Sequence, residues 1–341
     1  MRMTIRHVSV IGAGAWGTAL ALIATRGGCR AKLYARRPEL AAMLQATRRN
    51  SDYLPGIDLP AELAIDADFA TALQADAVLY AQPAQHFRAF CAEARPFWRE
   101  GTPLVLCAKG IEQESGLLLH EIAARELPAA RIAALSGPSF AIDVARGLPT
   151  AVAIAATDAA LAEALMEALS HGAFRPYGSD DLVGTEIAGA VKNVYAIACG
   201  MAMGSGLGDN ARAALITRGL AEVTRLALAK GGRAETLMGL AGLGDLVLTC
   251  CGAKSRNMSL GVALGEGKSL AEVLAARKSV AEGVTTAPAV LALASGLGIE
   301  MPIAAAVNRI LHGGSTLAAE AENLLARPLK RESAAMVSVR I

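Results

Sequence analysis

Aromatic residues are scarce: Phe, Tyr and Trp make up 4% of the 341 residues. A core with so few large rings must be filled by small side chains. The 53% hydrophobic content, much of it alanine, supplies them and lets helices pack closely. No long basic block occurs and the formal net charge is +2, so nucleic acid is not an expected partner. None of the six cysteines (Cys29, Cys91, Cys107, Cys199, Cys250 and Cys251) belongs to a Cys-x-x-Cys pair. Their mostly apolar surroundings read as reduced thiols of a cytoplasmic protein. Adjacent Cys250 and Cys251 have no histidine at ligand spacing, so no metal site is expected. Arg2 and Arg6 precede an apolar run to Ala24 that mimics a secretory signal. Three glycines and Trp16 break that run, it has no clean cleavage site, and a second strand follows at once. Elsewhere no uninterrupted apolar stretch is long enough to span a bilayer, and the best, Ile187 to Leu207, carries Lys192.

What is present begins at Val8. The β-branched run Val8-Ser9-Val10-Ile11 enters Gly12-Ala13-Gly14-Ala15-Trp16-Gly17, and an Ala/Leu-rich run leaves it. Strand, Gly-x-Gly-x-x-Gly turn and helix start together form the dinucleotide fingerprint. Gly12 lets the chain turn, Gly14 lets backbone approach a pyrophosphate, and Gly17 lets helix pack against strand. The helix N-terminus offers unpaired N–H groups to the phosphates.

Downstream, short apolar strands alternate with helices. Strands are expected at Ala31–Ala35, Ala77–Ala81, Pro103–Ala108 and Arg131–Leu135, with edge strands at Thr150–Ala155 and Ala173–Tyr177. This pattern predicts a Rossmann-like, doubly wound, mainly parallel sheet. Arg36 and Arg37 follow the second strand, where an NAD-specific site places an acid. We therefore expect NADP(H) to be preferred, with NAD(H) as the alternative. From Asp180 onward strand-like runs give way to long Ala/Gly/Leu helices. The expected organisation is a dinucleotide domain over 1–184, an all-α substrate domain over 185–331, and a tail over 332–341. The apolar helices of the second half suit a homodimer.

Ligands in such sheets lie at the carboxyl ends of the strands. Lys109 follows one such end, and Gly137 and Ser139 follow another. Lys192 stands on a mostly small, apolar helix face beside Ala188, Gly189, Tyr195 and Ala196. Desolvation and a second cation such as Lys109 would lower its pKa toward the range useful for proton transfer. Asp245 comes after Gly239, Gly242 and Gly244, so backbone can approach it closely. Ser255 is placed to cap a helix starting at Arg256, and with Arg256 and Asn257 it suits a small phosphate. The loop Val280-Ala281-Glu282-Gly283 is expected to precede a threonine-capped helix and has no role by itself.

Taken in order, these stretches resemble the bacterial NAD(P)-dependent sn-glycerol-3-phosphate dehydrogenase family. The resemblance runs from Val8 to about Leu325. It is carried by the Gly12–Ala19 turn, Tyr53-Leu54-Pro55-Gly56, Ala108-Lys109-Gly110, Leu135–Ala141, Gly189–Asn193, Leu207–Ala214, Leu243-Gly244-Asp245, Ser255-Arg256-Asn257 and Ala281-Glu282-Gly283. It implies reduction of dihydroxyacetone phosphate to sn-glycerol 3-phosphate by NAD(P)H. Lys192 would be the proton donor and acceptor, and Lys109 would touch both substrate and cofactor. Gly137, Ser139, Asp245, Ser255, Arg256 and Asn257 would hold the triose phosphate, with Arg256 also reaching the cofactor. Ala15, Trp16, Arg36, Ala141, Val280 and Glu282 would line the cofactor site, joined by Tyr53 and Arg37. Met203, where many members carry an acid, and Gln82-Pro83-Ala84 depart from the family pattern. A hydroxy-acid dehydrogenase of similar plan and a non-catalytic NADP sensor are the alternatives.

Overall fold

Strands buried on both faces need no alternation of apolar and polar residues, and the central strands here show none. Residues Ala77–Tyr80 and Pro103–Leu106 are buried throughout. The structure, a computed structural model, describes residues 3–276 and 281–329. Val280 and the expected tail 332–341 lie outside the described residues.

Two compact units are present. The first comprises the chain up to Ala108 together with Leu119–Leu182, and the second comprises Lys109–Leu118 together with the chain from Val183 onward. The first unit holds strands β1 (His7–Ile11), β2 (Arg30–Tyr34), β3 (Ala64–Asp66), β4 (Ala77–Tyr80), β5 (Pro103–Leu106), β6 (Arg131–Ser136), β7 (Thr150–Ala155) and β8 (Phe174–Ser179). They form one Rossmann-like sheet of order β3-β2-β1-β4-β5-β6-β7-β8. Every neighbouring pair is parallel except β6 and β7. The helices between strands are α1 (Ala15–Arg26), α2 (Pro38–Thr47), α3 (Phe69–Ala72), α4 (Phe87–Ala94), α5 (Leu119–Glu126), α6 (Ala141–Ala145) and α7 (Ala159–Leu169).

Two strand expectations need correction. β3 is absent from the sequence reading because it has only three residues and one buried side chain, too few to show a period. β7 is not an edge strand, since it lies between β6 and β8 and pairs with both. Its uninterrupted burial-prone run Val152-Ala153-Ile154-Ala155 fits an interior position better than an edge.

The scarce aromatics are concentrated. Tyr80 packs against Phe87 and Phe90 with ring centroids 4.8 Å apart in each case, and Phe69 bridges Tyr34 and Phe90. Elsewhere the core of this unit is mainly Leu, Val, Ile and Ala.

The second unit is helical: α8 (Leu182–Gly204, starting one residue before the boundary), α9 (Gly208–Ala229), α10 (Ala234–Met238), α11 (Asp245–Cys251), α12 (Arg256–Gly265), α13 (Leu270–Ala275), α14 (Glu282–Gly296), α15 (Pro302–His312) and α16 (Leu317–Leu325). By length and composition α8 could cross a membrane, but 89% of its apolar window is buried in the protein. Its packing explains the glycine and alanine content. A Cβ at Gly200 would lie 2.2 Å from the Met258 carbonyl oxygen, and one at Gly261 would lie 2.2 Å from that of Ile197. Gly204 and Gly265 repeat the arrangement one turn later, against Val262 and Met201. The two helices therefore run in the same direction, backbone against backbone, with the start of α12 level with Lys192 and Asn193. α14 begins at Glu282 with Ala281 at its cap and no side-chain cap bond, so the expected threonine cap is corrected. Thr285 and Thr286 lie inside α14, where Thr285 bonds back to the Glu282 carbonyl.

Candidate active site

In the first unit the fingerprint forms as its residue types require. Gly12 has φ +117°, a backbone region that favours glycine, and a Cβ there would meet Gln82 Cγ at 2.9 Å. Gln82, one of the departures from the family pattern, is thus packed on the turn. Gly17 has no room for a side chain, because a Cβ would lie 1.8 Å from the Gly12 carbonyl oxygen. Gly14 faces open space. It caps α1 with no side-chain hydrogen bond, and no acid occupies the first turn of α1. The first N–H groups of α1 are therefore left for an anion.

The strand order reverses direction beside β1, with β2 on one side and β4 on the other. That is the switch point where dinucleotides bind in open α/β sheets. Ala15 and Trp16 are half-buried at the start of α1, and Arg36 and Arg37 are exposed just beyond β2. Tyr53 is half-buried in the loop after α2. At the end of β6, Gly137 has φ +147° and a Cβ there would meet Val152 Cα at 2.8 Å. The Ser139 hydroxyl donates to the Gly137 carbonyl at 2.9 Å, and Ala141 opens α6.

The second unit assembles charge. Asp245 is nearly inaccessible, and its two carboxylate oxygens take one lysine each. Lys109 Nζ lies 2.7 Å from Oδ2, and Lys192 Nζ pairs with Oδ1. Thr249 Oγ1 accepts from Lys192 Nζ at 2.9 Å while donating to the Asp245 carbonyl oxygen at 2.6 Å. Lys109 and Asp245 are 136 residues apart in sequence.

The backbone before Asp245 is unusual. Leu240–Gly244 forms a π-helical turn, with Gly244 N–H donating to the Gly239 carbonyl. A Cβ at Gly242 would lie 2.0 Å from the Leu237 carbonyl oxygen, so that turn demands glycine there.

Burial dominates the electrostatics of this cluster and pulls the Lys192 pKa down to about 8. Asp245 opposes that pull and Lys109 adds to it. Burial alone would raise the pKa of Asp245, but Lys109 and Lys192 outweigh it and hold the carboxyl below its ordinary value. The site thus keeps a carboxylate beside an amine whose pKa burial draws down to about 8.

Other predicted residues of the second unit divide by exposure. Arg256 is exposed at the first position of α12. Ser255 is buried, and its hydroxyl accepts the Met258 N–H as the helix cap. Asn257 is buried and turned inward: its amide donates to Asn193 Oδ1 at 2.9 Å and accepts from Gly283 N–H at 3.0 Å. This clip ties the residue after Lys192 to the residue after Arg256 and to the residue after half-buried Glu282. Among the described residues no group of three or more His, Cys, Asp or Glu is gathered to hold a metal.

Sequence reasoning gave no role to Thr249 or Asn193. Thr249 had a signal, since it stands four residues after Asp245, one helical turn on the same face. Glu222 had none. It is a buried acid that accepts from Tyr195 Oη at 3.1 Å and from Ile303 N–H at 2.9 Å, and burial pushes its pKa up to about 7.

Known proteins match both halves of the chain. Residues 7–162 match the model of the NAD-dependent glycerol-3-phosphate dehydrogenase N-terminus, and residues 181–322 match that of its C-terminus. Glycerol-3-phosphate dehydrogenase [NAD(P)+] of Rhodospirillum rubrum is 56% identical over 97% of this chain and 95% of its own. The Parvibaculum lavamentivorans protein of the same name is 55% identical over 98% of this chain and all of its own. The crystal structure of glycerol-3-phosphate dehydrogenase from Coxiella burnetii superimposes with a TM-score of 0.91 at 41% identity. It covers 95% of this chain and 99% of its own.

Proposed function

Because the chain belongs to the NAD-dependent glycerol-3-phosphate dehydrogenase family, we propose specific roles for its residues in that family's reaction. The enzyme is an oxidoreductase that interconverts dihydroxyacetone phosphate and sn-glycerol 3-phosphate, the backbone of glycerophospholipids. The nicotinamide cofactor supplies the hydride that reaches C2 and accepts it in the reverse direction.

The observation that carries the assignment of roles is the buried Lys109–Asp245–Lys192–Thr249 cluster. In reduction, negative charge grows on the C2 oxygen. Lys192 meets that charge and gives its proton to the oxygen, and in oxidation it takes the proton back. A pKa of about 8 suits both directions. Lys109 adds a second positive charge, and Asp245 keeps two ammonium groups together that would otherwise repel. Thr249 fixes the direction of the Lys192 amine.

The triose phosphate is held by Arg256 and by the N–H groups at the start of α12, which the Ser255 cap and the Asn257 clip keep in place. Gly137 and Ser139 contribute to the same substrate. Binding energy at the phosphate, remote from C2, fixes the reacting geometry. The turn Gly12–Gly17, with Ala15 and Trp16, receives the dinucleotide, and Tyr53, Ala141, Arg256 and Glu282 line it. Val280 is assigned to it by the resemblance alone.

For the cofactor, the proposal is a preference for NADP(H). It is supported by Arg36 and Arg37 standing exposed beyond β2 with no acid before Glu39. A cytoplasmic setting and a homodimer formed through the apolar helices belong to the same reading.

Oxidation of NADPH with dihydroxyacetone phosphate, repeated with NADH, tests these points. Turnover with both and a higher kcat/KM for NADPH is expected. No turnover with either would remove the residue roles, and a higher value with NADH would remove the preference.

A further inference from the structure

The turn that receives the dinucleotide is held from behind by a residue outside it. Asn50 is 1% exposed, and its Nδ2 donates to the Ala13 carbonyl at 3.0 Å and to Thr18 Oγ1 at 2.8 Å. A carbonyl only accepts, so the amide nitrogen must face Ala13 and the orientation of Asn50 is unambiguous.

Ala13 is the middle residue of Gly12-Ala13-Gly14. Its carbonyl and the Gly14 N–H belong to one planar trans peptide, so they point in opposite directions. Holding the carbonyl on Asn50 therefore aims the Gly14 N–H the other way. Gly14 has no Cβ and open space beside it, so nothing in its own sterics prevents this peptide from rotating. A rotated peptide would present a carbonyl oxygen, not an N–H, to the diphosphate. The second leg reaches Thr18, whose N–H closes the first turn of α1 on the Gly14 carbonyl at 2.9 Å. One amide thus spans the turn and the first turn of the helix.

Asn50 is itself held by a closed loop. Arg48, the C-cap of α2 with φ +51°, donates to the Leu63 carbonyl at 2.8 Å and to that of Pro60. Leu59 N–H returns to the Arg48 carbonyl, Arg49 pairs with Asp58 at 2.6 Å, and Leu54 N–H bonds the Asn50 carbonyl at 2.7 Å. The proline-rich connection Asn50–Pro60 is a buttress for the nucleotide turn.

We propose that Asn50 is a positioning residue for the dinucleotide: it locks the Ala13–Gly14 peptide with its N–H toward the diphosphate. The inference rests on the reading of Gly12–Gly17 as the nucleotide site. The test is the dissociation constant of NADPH, from cofactor fluorescence, for the wild type, Asn50→Ala, Asn50→Asp and Thr18→Val. Steady-state kinetics and thermal melts accompany each titration. Asn50→Ala should raise Kd and the KM for NADPH about tenfold or more, with kcat at saturating NADPH within about twofold, as expected for losing a buried hydrogen-bond lock. Asn50→Asp should be worse than Asn50→Ala, because it sets a carboxylate against a carbonyl. Thr18→Val, which keeps the shape and leaves the Ala13 bond intact, should cost about threefold.

An unchanged Kd in Asn50→Ala, or a loss confined to melting temperature and kcat, would overturn the proposal. If Asn50→Ala does not fold, Asn50→Asp, which removes the donor to the Ala13 carbonyl, decides, and an unchanged Kd there overturns it. Failure of the wild type to bind NADPH or NADH would instead sink the nucleotide reading itself.

Discussion

The nucleotide turn of the first unit and the lysine cluster of the second solve opposite problems. The turn is built of backbone and carries no charge: its donors are N–H groups, and its own packing demands the absence of side chains at Gly12 and Gly17. The cluster is built of side chains and is dense in charge, with two ammonium groups on one buried carboxylate. A site for a large diphosphate needs room and many weak donors. A site for a proton needs a group whose charge is expensive enough to give up. The comparison also shows where glycine serves each. In the turn it opens space for a ligand, whereas in Leu240–Gly244 it lets the backbone wind so that Asp245 reaches both lysines.

The comparison breaks most visibly at Lys192. Lys192→Ala should lower kcat by about a thousandfold, within the range typical of a lost general acid, while NADPH affinity stays within a few-fold. Equal losses in both measurements would mean that the two sites are not separable. Next in size is Gly17→Ala, whose new Cβ would sit 1.8 Å from the Gly12 carbonyl oxygen. That clash should cost roughly 1–3 kcal/mol of stability, seen as a lower melting temperature, and should weaken NADPH binding. A variant with wild-type binding and melting would show that the turn tolerates a side chain.

Arg256→Ala should reduce kcat/KM for dihydroxyacetone phosphate by about 10- to 100-fold through loss of a charge-assisted contact to the phosphate. Unchanged kcat/KM would remove Arg256 from the substrate site.

The smallest effect is on pH. In the proposed mechanism Lys192, its pKa lowered by burial to about 8, must be protonated for reduction, so kcat/KM in that direction should fall above about pH 8. Oxidation needs the neutral amine and should rise over the same interval. Thr249→Val removes an acceptor that favours the charged amine, so the break should move to lower pH. A pH profile that is flat from 7 to 9 in both directions would argue against Lys192 as the proton carrier.

Much of this was legible in the residues. Val8–Gly17 announces itself because strand, turn and helix are contiguous, and each glycine answers a local steric demand. Lys192 stood out because a charge among alanines and glycines has to be accounted for. Asn193 was not legible, since it acquires meaning only from Asn257 on another helix, and the i, i+4 spacing of Thr249 to Asp245 gave no hint of its bond to Lys192. Asn257 shows the limit from the other side. Its place beside Arg256 suggests a ligand, and only the structure shows that its amide also joins Asn193 to Gly283. β3 was too short to show a pattern, and β7 was placed at an edge because position within a sheet depends on pairing partners, not on composition.

The sequence by itself determined the glycine turn after β1, the alternation that makes a parallel sheet, the small-residue helices, and the presence of a lysine on one of those helices. These depend on interactions among residues a few positions apart, where spacing is geometry. Only the tertiary structure decided that Lys109 and Lys192 share one carboxylate, that α8 and α12 touch backbone to backbone, and that Asn50 braces the turn from behind. Those are contacts between segments far apart along the chain, and no local period encodes which distant group a buried polar atom must find.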